Sequence, residues 1–347
     1  MTFLTIDGSL GEGGGQVLRT ALSLSILTQK PIEFTNIRAK RKKPGLLRQH
    51  LTSVKAAQAI CNAKTEGVEF GASRLRFTPG NIKADSYYFA IGTAGSTALV
   101  CQTILPVLAL SDAPSTITLE GGTHNGMSPS LCFLQHAYFP IIERMGVKCE
   151  VNTQRFGFYP AGGGKWQLTI MPTSHFKPLH LLDGAAHLAT DPQHCRMRAL
   201  LSKLPKTIGE REIKTAREEL NWSRANAQVD QVESKGPGNS LHLVVQADTH
   251  CNVFEVIGEK GVSAESVAKR CAGQVKKFLA ANAAVEEHLV DQLLLPMALA
   301  GAGSFTTTVP SLHTRTNIDI IQQFLDIPIA VVQVNESLWK LTLGIES

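Results

Sequence analysis

The sequence predicts an α/β (α+β) protein: one large domain of three repeated α/β units, with a smaller α/β domain inserted into it. Three observations carry this expectation. A helix-strand-helix-strand-strand series occurs three times, one segment between its second and third copies differs in character, and 347 residues give room for two or three domains at ~100–200 residues each. The competing reading is accidental alternation of helical and extended segments in an ordinary α/β protein.

Residues 3–6 have strand character; glycines follow at 11 and 13–15, and helical periodicity covers 16–27. The first copy continues with a strand at 31–37, a helix at 45–61 and strands at 67–70 and 74–78. The second copy reads as helix 95–110, strand 115–120, helix 129–145 and strands 147–153 and 165–171. The third reads as helix 290–300, strand 304–308, helix 316–325 and strands 329–334 and 338–343. Residues 182–282 are rich in His, Arg and Glu and carry strands at 241–246 and 252–257 and a helix at 263–281. The expected division is therefore 1–181 plus 283–347 for the three-unit domain and 182–282 for the insert.

Composition narrows the function. Lys plus Arg number 34 and Asp plus Glu 29, a net charge of +5, and charged residues are 18% of the chain against about 25% in an average soluble protein. A protein that coats polyanions over its whole surface is excluded, so any basic site is local. The longest apolar stretch, 98–110, is broken by Gln102 and Pro106 and is shorter than the ~18 residues of a membrane span. The amino terminus shows no basic segment followed by an apolar one, so no secretory signal is visible. Seven widely spaced cysteines without a CxxC pair suit reduced thiols in a cytoplasmic protein.

The residues with chemical potential fall in corresponding loops, 38–44, 121–128 and 309–315, each between a strand and a helix. Helix N-termini offer free N–H groups and partial positive charge, which suit phosphates. The first loop is the most basic, with Arg38, Lys40, Arg41, Lys42, Lys43 and Arg48 and no acid. It reads as a phosphate or RNA-backbone site, or as a solvated basic face or nuclear-import tract. The glycines of Gly11-Glu12-Gly13-Gly14-Gly15-Gln16 fit neither the dinucleotide-binding fingerprint nor a P-loop. His313 stands in Pro310-Ser311-Leu312-His313-Thr314-Arg315-Thr316-Asn317, just before a helix that Thr316 or Asn317 could cap. There it is either a nucleophile facing anions or a loop or capping histidine. No Ser/His/Asp arrangement, His/Cys metal cluster or HExxH is readable.

GSLGEGGGQVLRTALSLS, NIRAKRKKPGLLRQHL, GFYPAGGGKW, IGEKG, HLVDQLLLPMALAGAGSF and PSLHTRTNI together resemble the RNA 3′-terminal phosphate cyclase family over nearly the whole chain. The resemblance implies three repeats similar to the carboxyl-terminal domain of translation initiation factor 3 plus an inserted α/β domain. It also implies that a histidine attacks the α-phosphate of ATP, that AMP passes to an RNA 3′-phosphate, and that the 2′-hydroxyl displaces AMP to leave a 2′,3′-cyclic phosphate.

By the same resemblance His313 is the nucleophile. The ATP pocket maps onto Gln102 and onto His288, Leu289, Val290, Asp291 and Gln292, with Pro129 against adenine and Glu12 near the adenylate and a divalent metal, Mg²⁺. Arg19, Arg38, Arg41 and Gln49 match the polar set around phosphates. Asp291-Gln292 could instead simply open a helix, and Arg19 could be an exposed helix cation. His288 departs from the family tyrosine; as a neutral imidazole it would stack on adenine more weakly, and ATP affinity would fall below about pH 6.5. The resemblance further implies RNA 3′-phosphate ends as partner, no membrane, and a homodimer. Two other classes share the architecture: a non-catalytic RNA-binding branch of ribosome assembly, in which the nucleophile is lost, and enolpyruvyl-type transferases, whose substrates do not require the basic loop.

Overall fold

The computed structural model describes residues 2–11 and 14–344; Glu12 therefore lies outside the described residues. The first unit comprises β1 (Leu4–Asp7), α1 (Gly15–Thr28), β2 (Ile32–Thr35), α2 (Arg48–Cys61), β3 (Lys64–Glu66) and β4 (Leu75–Thr78). The second comprises β5 (Ser86–Ala90), α3 (Thr97–Ala109), β6 (Ser115–Gly121), then α4 (Leu131–Phe133) running through a π-helical stretch, Leu134–Tyr138, into α5 (Phe139–Arg144), and finally β7 (Cys149–Arg155) and β8 (Gly164–Ile170). Strand β9 (Leu179–Leu181) follows. Next come β10 (Cys195–Ser202), α6 (Lys206–Leu220), β11 (Asn226–Gln231), β12 (Gly238–Gln246), β13 (Cys251–Ile257) and α7 (Ala264–Ala281). The chain then forms α8 (Glu287–Ala300), β14 (Gly303–Thr307), α9 (Leu312–Phe324), β15 (Ile329–Gln333) and β16 (Trp339–Leu343).

Three of the sheets share one topology: β1-β2-β4-β3, β5-β6-β8-β7 and β9-β14-β16-β15. In each, the first two strands are parallel and the rest antiparallel. A parallel pair needs a crossover connection, which α1, α3 and α8 supply. Strands β6 and β8 alternate buried and half-buried residues along their whole length, so one face of the sheet packs on helices. The second helix of each unit packs on the first helix of the next: α2 on α3, the π-helical stretch on α8, and α9 on α1. That cyclic order closes the three units around a common helical core, which holds Leu22, Val100, Leu134, Leu293 and Ile321.

The fourth sheet, β11-β10-β12-β13, has α6 and α7 packed against it and a hydrophobic cluster of its own around Leu241, Phe254, Val275 and Phe278. Its Val244 and Val253 join the core of the three units instead.

The structure differs from the sequence reading in several elements. Strands β5 and β9 were not expected: β5 is an edge strand without a fully buried residue, and β9 has three residues, so neither leaves a strong apolar pattern. Because β9 pairs with β14, the inserted segment interrupts the third unit between its first strand and first helix rather than separating two units. The strand expected at 67–70 is a turn, and the pairing segment is Lys64–Glu66. Helix α6 and strands β10 and β11 complete a segment in which only two strands and one helix were anticipated.

Candidate active site

The first helices of the second and third units carry the same spacing: Leu99-Val100-Cys101-Gln102 with Pro106 in α3, and Leu289-Val290-Asp291-Gln292 with Pro296 in α8. Every residue of α3 except Gln102 is buried. Gln102, Gln292, Pro106 and Pro296 line one narrow cavity together with Arg19 and Ser23 of α1. Equivalent helices thus deliver equivalent side chains to the centre of the three-unit body. At the place where α3 has the apolar, fully buried Cys101, α8 has Asp291.

That substitution organises a chain of hydrogen bonds. Thr314 Oγ1 donates to Asp291 Oδ1 at 2.6 Å and Asn317 Nδ2 to the Asp291 carbonyl at 3.2 Å. Thr20 Oγ1 donates to Asn317 Oδ1 at 2.7 Å, Gln16 Nε2 to Thr20 Oγ1 at 3.2 Å, and Arg19 Nη2 to Gln16 Oε1 at 2.8 Å. Helices α1, α8 and α9 are thereby locked in register. Gln102 Nε2 is a buried donor with no partner, which is costly unless a ligand or water accepts from it.

His313 is not in a loop ahead of the helix. Ser311 is the N-cap of α9, accepting from Thr314 N at 3.1 Å, and His313 is in the first turn with its side chain exposed. Ser311 meets the requirement of an N-cap three residues before Thr314, so the helix starts earlier than the apolar periodicity of 316–325 suggests. Partial loss of hydration depresses the His313 pKa, Arg19, Arg41 and His288 push it the same way, and Asp291 opposes them. The imidazole is therefore neutral at pH 7, with a lone pair to offer. Burial also raises the Asp291 carboxyl to about 6, against the Thr314 hydrogen bond.

Cations approach from α1 and from the β2–α2 loop. Arg19 is buried, and loss of hydration lowers its pKa to about 10; it remains a cation, and it is not an exposed helix residue. Gly15 lets α1 start close to it: a Cβ there would come within 2.5 Å of His50 Nε2 and 2.7 Å of Arg19 Nη1. Gly11 (φ +53°) lies in the left-handed region against the Thr316 hydroxyl of α9, so the glycine-rich turn serves close approach to the His313 helix. Arg38 Nη1 donates to the Lys43 and Gly45 carbonyls at 2.6 and 3.0 Å, which folds the loop that also carries Arg41, a cation acting on His313. His50 is buried beside Arg38 and Arg19, and its pKa is pushed down to about 3, mainly by burial. It was not anticipated; nothing in its local sequence distinguishes it from an ordinary helix residue.

The remaining expected residues divide. Gln49 Oε1 accepts from Ser96 N at 2.6 Å and ties α2 to the start of α3. Leu289 and Val290 are 0% and 1% exposed, and their N–H groups are taken by Glu286, so they pack α8 and present no contact to a ligand. Pro129 is half-buried in the loop before α4, beside Ser130, whose N–H donates to Glu255 Oε1 at 2.8 Å. His288 is exposed, and the expected neutral ring is not what its surroundings favour: Glu286 chiefly, then Glu287, Asp291 and Glu255, raise its pKa against the effect of burial. Its charged form persists until pH rises through that elevated value, so its titration midpoint lies above the ordinary 6.5. An NMR titration of the His288 ring should show this, with Glu286→Gln moving the midpoint back down; a midpoint below 6.5 in the parent protein contradicts it.

The geometry defines a class: a three-unit α/β protein with a neutral helix-start histidine acted on by two arginines, on a helix whose Asn317 lines a polar central cavity. A family profile described as RNA 3′-terminal phosphate cyclase matches residues 10–331. Proteins named RNA 3′-terminal phosphate cyclase are similar over nearly the full length. That of Koribacter versatilis (strain Ellin345) is 46% identical over 328 residues, 94% of this chain and 91% of the relative. That of Salmonella agona (strain SL483) is 44% identical over 334 residues, 96% and 95% of the two chains, and that of Ectopseudomonas mendocina (strain ymp) is 44% identical over 343 residues, 98% of each. The chain belongs to the RNA 3′-terminal phosphate cyclase family.

Proposed function

We propose that the protein converts an RNA 3′-terminal phosphate to a 2′,3′-cyclic phosphodiester at the expense of ATP, through an AMP-histidine adduct on His313. The observation that carries the reading is a neutral imidazole at the start of α9, with Arg19 and Arg41 acting on it and Asp291 bonded into the same turn. A 3′-phosphate is a poor electrophile for its neighbouring hydroxyl, because the group that must leave is oxide. The His313 nitrogen attacks the α-phosphorus of ATP and pyrophosphate departs; an oxygen of the RNA 3′-phosphate then attacks the same phosphorus and the P–N bond breaks. Finally the 2′-hydroxyl attacks the activated 3′-phosphorus, loses its proton and expels AMP. The first step is nucleophilic catalysis, and the last is intramolecular and gains from proximity.

Arg19, Arg38 and Arg41 serve the phosphates, and Gln102 and Gln292 face the nucleotide from the central cavity. A divalent ion would supply charge neutralisation for the triphosphate. Its expected ligand Glu12 lies outside the described residues, and around His313 the described residues gather no group of three carboxylate or imidazole ligands. The described residues thus do not complete a Mg²⁺ site, and no step above depends on one. Residues 182–282 form the inserted domain in this reading, with a separate hydrophobic cluster in support. No helix among the described residues is long and apolar enough to cross a membrane, and all seven cysteines are unpaired, which supports a cytoplasmic setting. A homodimer follows from the family resemblance alone and is tested by sedimentation.

Two measurements test this reading short of removing the nucleophile. With its pKa depressed, His313 is already neutral above pH 6.5, so the adenylation rate should be level from there upward and fall only in more acidic solution; a rate still climbing through pH 7 contradicts the assignment. Arg41→Ala should weaken RNA binding and reduce the slope of log affinity against log salt by about one, the loss of a single phosphate contact. An unchanged slope would return the loop to the status of a solvated face.

A further inference from the structure

Where the segment after β6 meets the inserted sheet, three side chains that no part of the reaction uses converge on one point. His124 lies at the start of the loop after β6, Cys132 in α4, and His242 on β12 of the inserted sheet. One ligand atom of each lies within 4.8 Å of the others. All three are buried: His124 is 0%, Cys132 1% and His242 3% exposed. No sequence motif announces them, because 110 residues separate Cys132 from His242 and the first pair alone has no metal-ligand spacing.

Each histidine keeps one ring nitrogen that is buried without a hydrogen-bond partner. His124 Nδ1 is 2.9 Å from Thr123 Oγ1, and its Nε2 is buried without a partner. His242 Nε2 is 2.9 Å from Ser240 Oγ and 3.4 Å from Glu255 Oε2, and its Nδ1 is likewise buried without a partner. Such atoms are costly when left unsatisfied, and the two rings that carry them share the cluster with a thiol. The outer contacts are those a metal-bound imidazole needs. His242 Nε2–H can donate to Ser240 Oγ, and the Glu255 carboxylate 3.4 Å away is placed to favour that tautomer and raise ligand basicity. The His124 Nδ1–H can donate to Thr123 Oγ1, which sits 3.4 Å from the Gly157 carbonyl.

We propose that His124, Cys132 and His242 bind a zinc ion that joins the second unit to the inserted sheet. Two imidazoles and one thiolate suit Zn²⁺, whose tetrahedral ligands stand about 3.3–3.8 Å apart, so the cluster needs only a small contraction. Binding displaces the Cys132 thiol proton to solvent. Charge then closes: the dication is balanced by the thiolate and by the Glu255 carboxylate. Because His124 and Cys132 bracket the loop that contains Pro129, and Glu255 also holds Ser130, the ion would pin both ends of that loop to β12 and β13.

The test uses the full chain, stripped with a chelator and titrated with Co²⁺ and then Zn²⁺. The expected result is one ion per chain, with a near-ultraviolet thiolate-to-cobalt band that disappears in Cys132→Ser. X-ray absorption of the zinc form of the parent protein should show one sulfur and two imidazole ligands, a result that needs no variant to fold. Glu255→Gln should weaken zinc about 10-fold or more, the usual effect of removing such an outer partner. A parent protein that retains no stoichiometric ion, a zinc shell without sulfur, or a cobalt band that survives in Cys132→Ser each overturns the proposal.

Discussion

His313→Ala is expected to abolish adenylation of the protein and to lower the rate of RNA 3′-phosphate cyclisation by roughly 10⁴-fold or more, the scale on which removal of an essential nucleophile acts. The fold should persist. The His313 side chain is exposed on the first turn of α9, while the turn itself is held by the Ser311 cap and by Thr314 on Asp291; none of these contacts involves the imidazole. Circular dichroism and thermal melting of the variant should match the parent. A variant that still forms the cyclic end through an AMP adduct would move the nucleophile elsewhere in the site.

Asp291→Ala is expected to have the next largest effect, a loss of about 10²-fold or more in the adenylation rate, comparable with removing a positioned acid–base group. Two consequences combine. The Thr314 hydroxyl loses its acceptor at 2.6 Å, and with it the side-chain tie of α9 to α8, and the anion that raises the His313 pKa disappears. Asp291→Asn separates them, because an amide oxygen still accepts from Thr314 but carries no charge. In the Asn variant the acid limb of the pH profile should move to lower pH, since removing the anion leaves burial and the neighbouring cations to depress His313 further. A limb that moves to higher pH would contradict the electrostatic role of Asp291. Equal rates in the Ala and parent proteins would show that the α8–α9 contact does not position His313.

Much of this site is legible in the sequence because repeats place chemistry at equivalent positions. The basic run from Arg38 to Arg48 and the PSLHTRTN segment fall after corresponding strands, and that correspondence alone points to the ends of the second helices. The shared Gln-to-Pro spacing of Gln102–Pro106 and Gln292–Pro296 gains meaning only from the structure, where α3 and α8 occupy equivalent places and all four residues line one cavity. What periodicity cannot show is which polar atom is already spent. Gln49 carries the residue type expected around phosphates, yet its carbonyl is taken by Ser96 N; Leu289 and Val290 stand beside Asp291 but face the core. His50 reads as an ordinary helix residue and becomes notable only because Gly15 brings α1 against it. The placement of the inserted segment was hidden for a different reason: the strand that precedes it, Leu179–Leu181, is too short to leave a pattern.

Formation of a phosphoramidate on one histidine is measured directly by incubation with ATP labelled at the α-phosphate, followed by chemical and peptide analysis of the labelled protein. A P–N bond to imidazole is labile in acid and survives alkali, unlike an ester of serine or threonine. The predicted result is up to one AMP per chain, lost in acid, retained in alkali, and mapped to the peptide that carries His313. Acid-stable label, or label on a peptide without His313, contradicts the account.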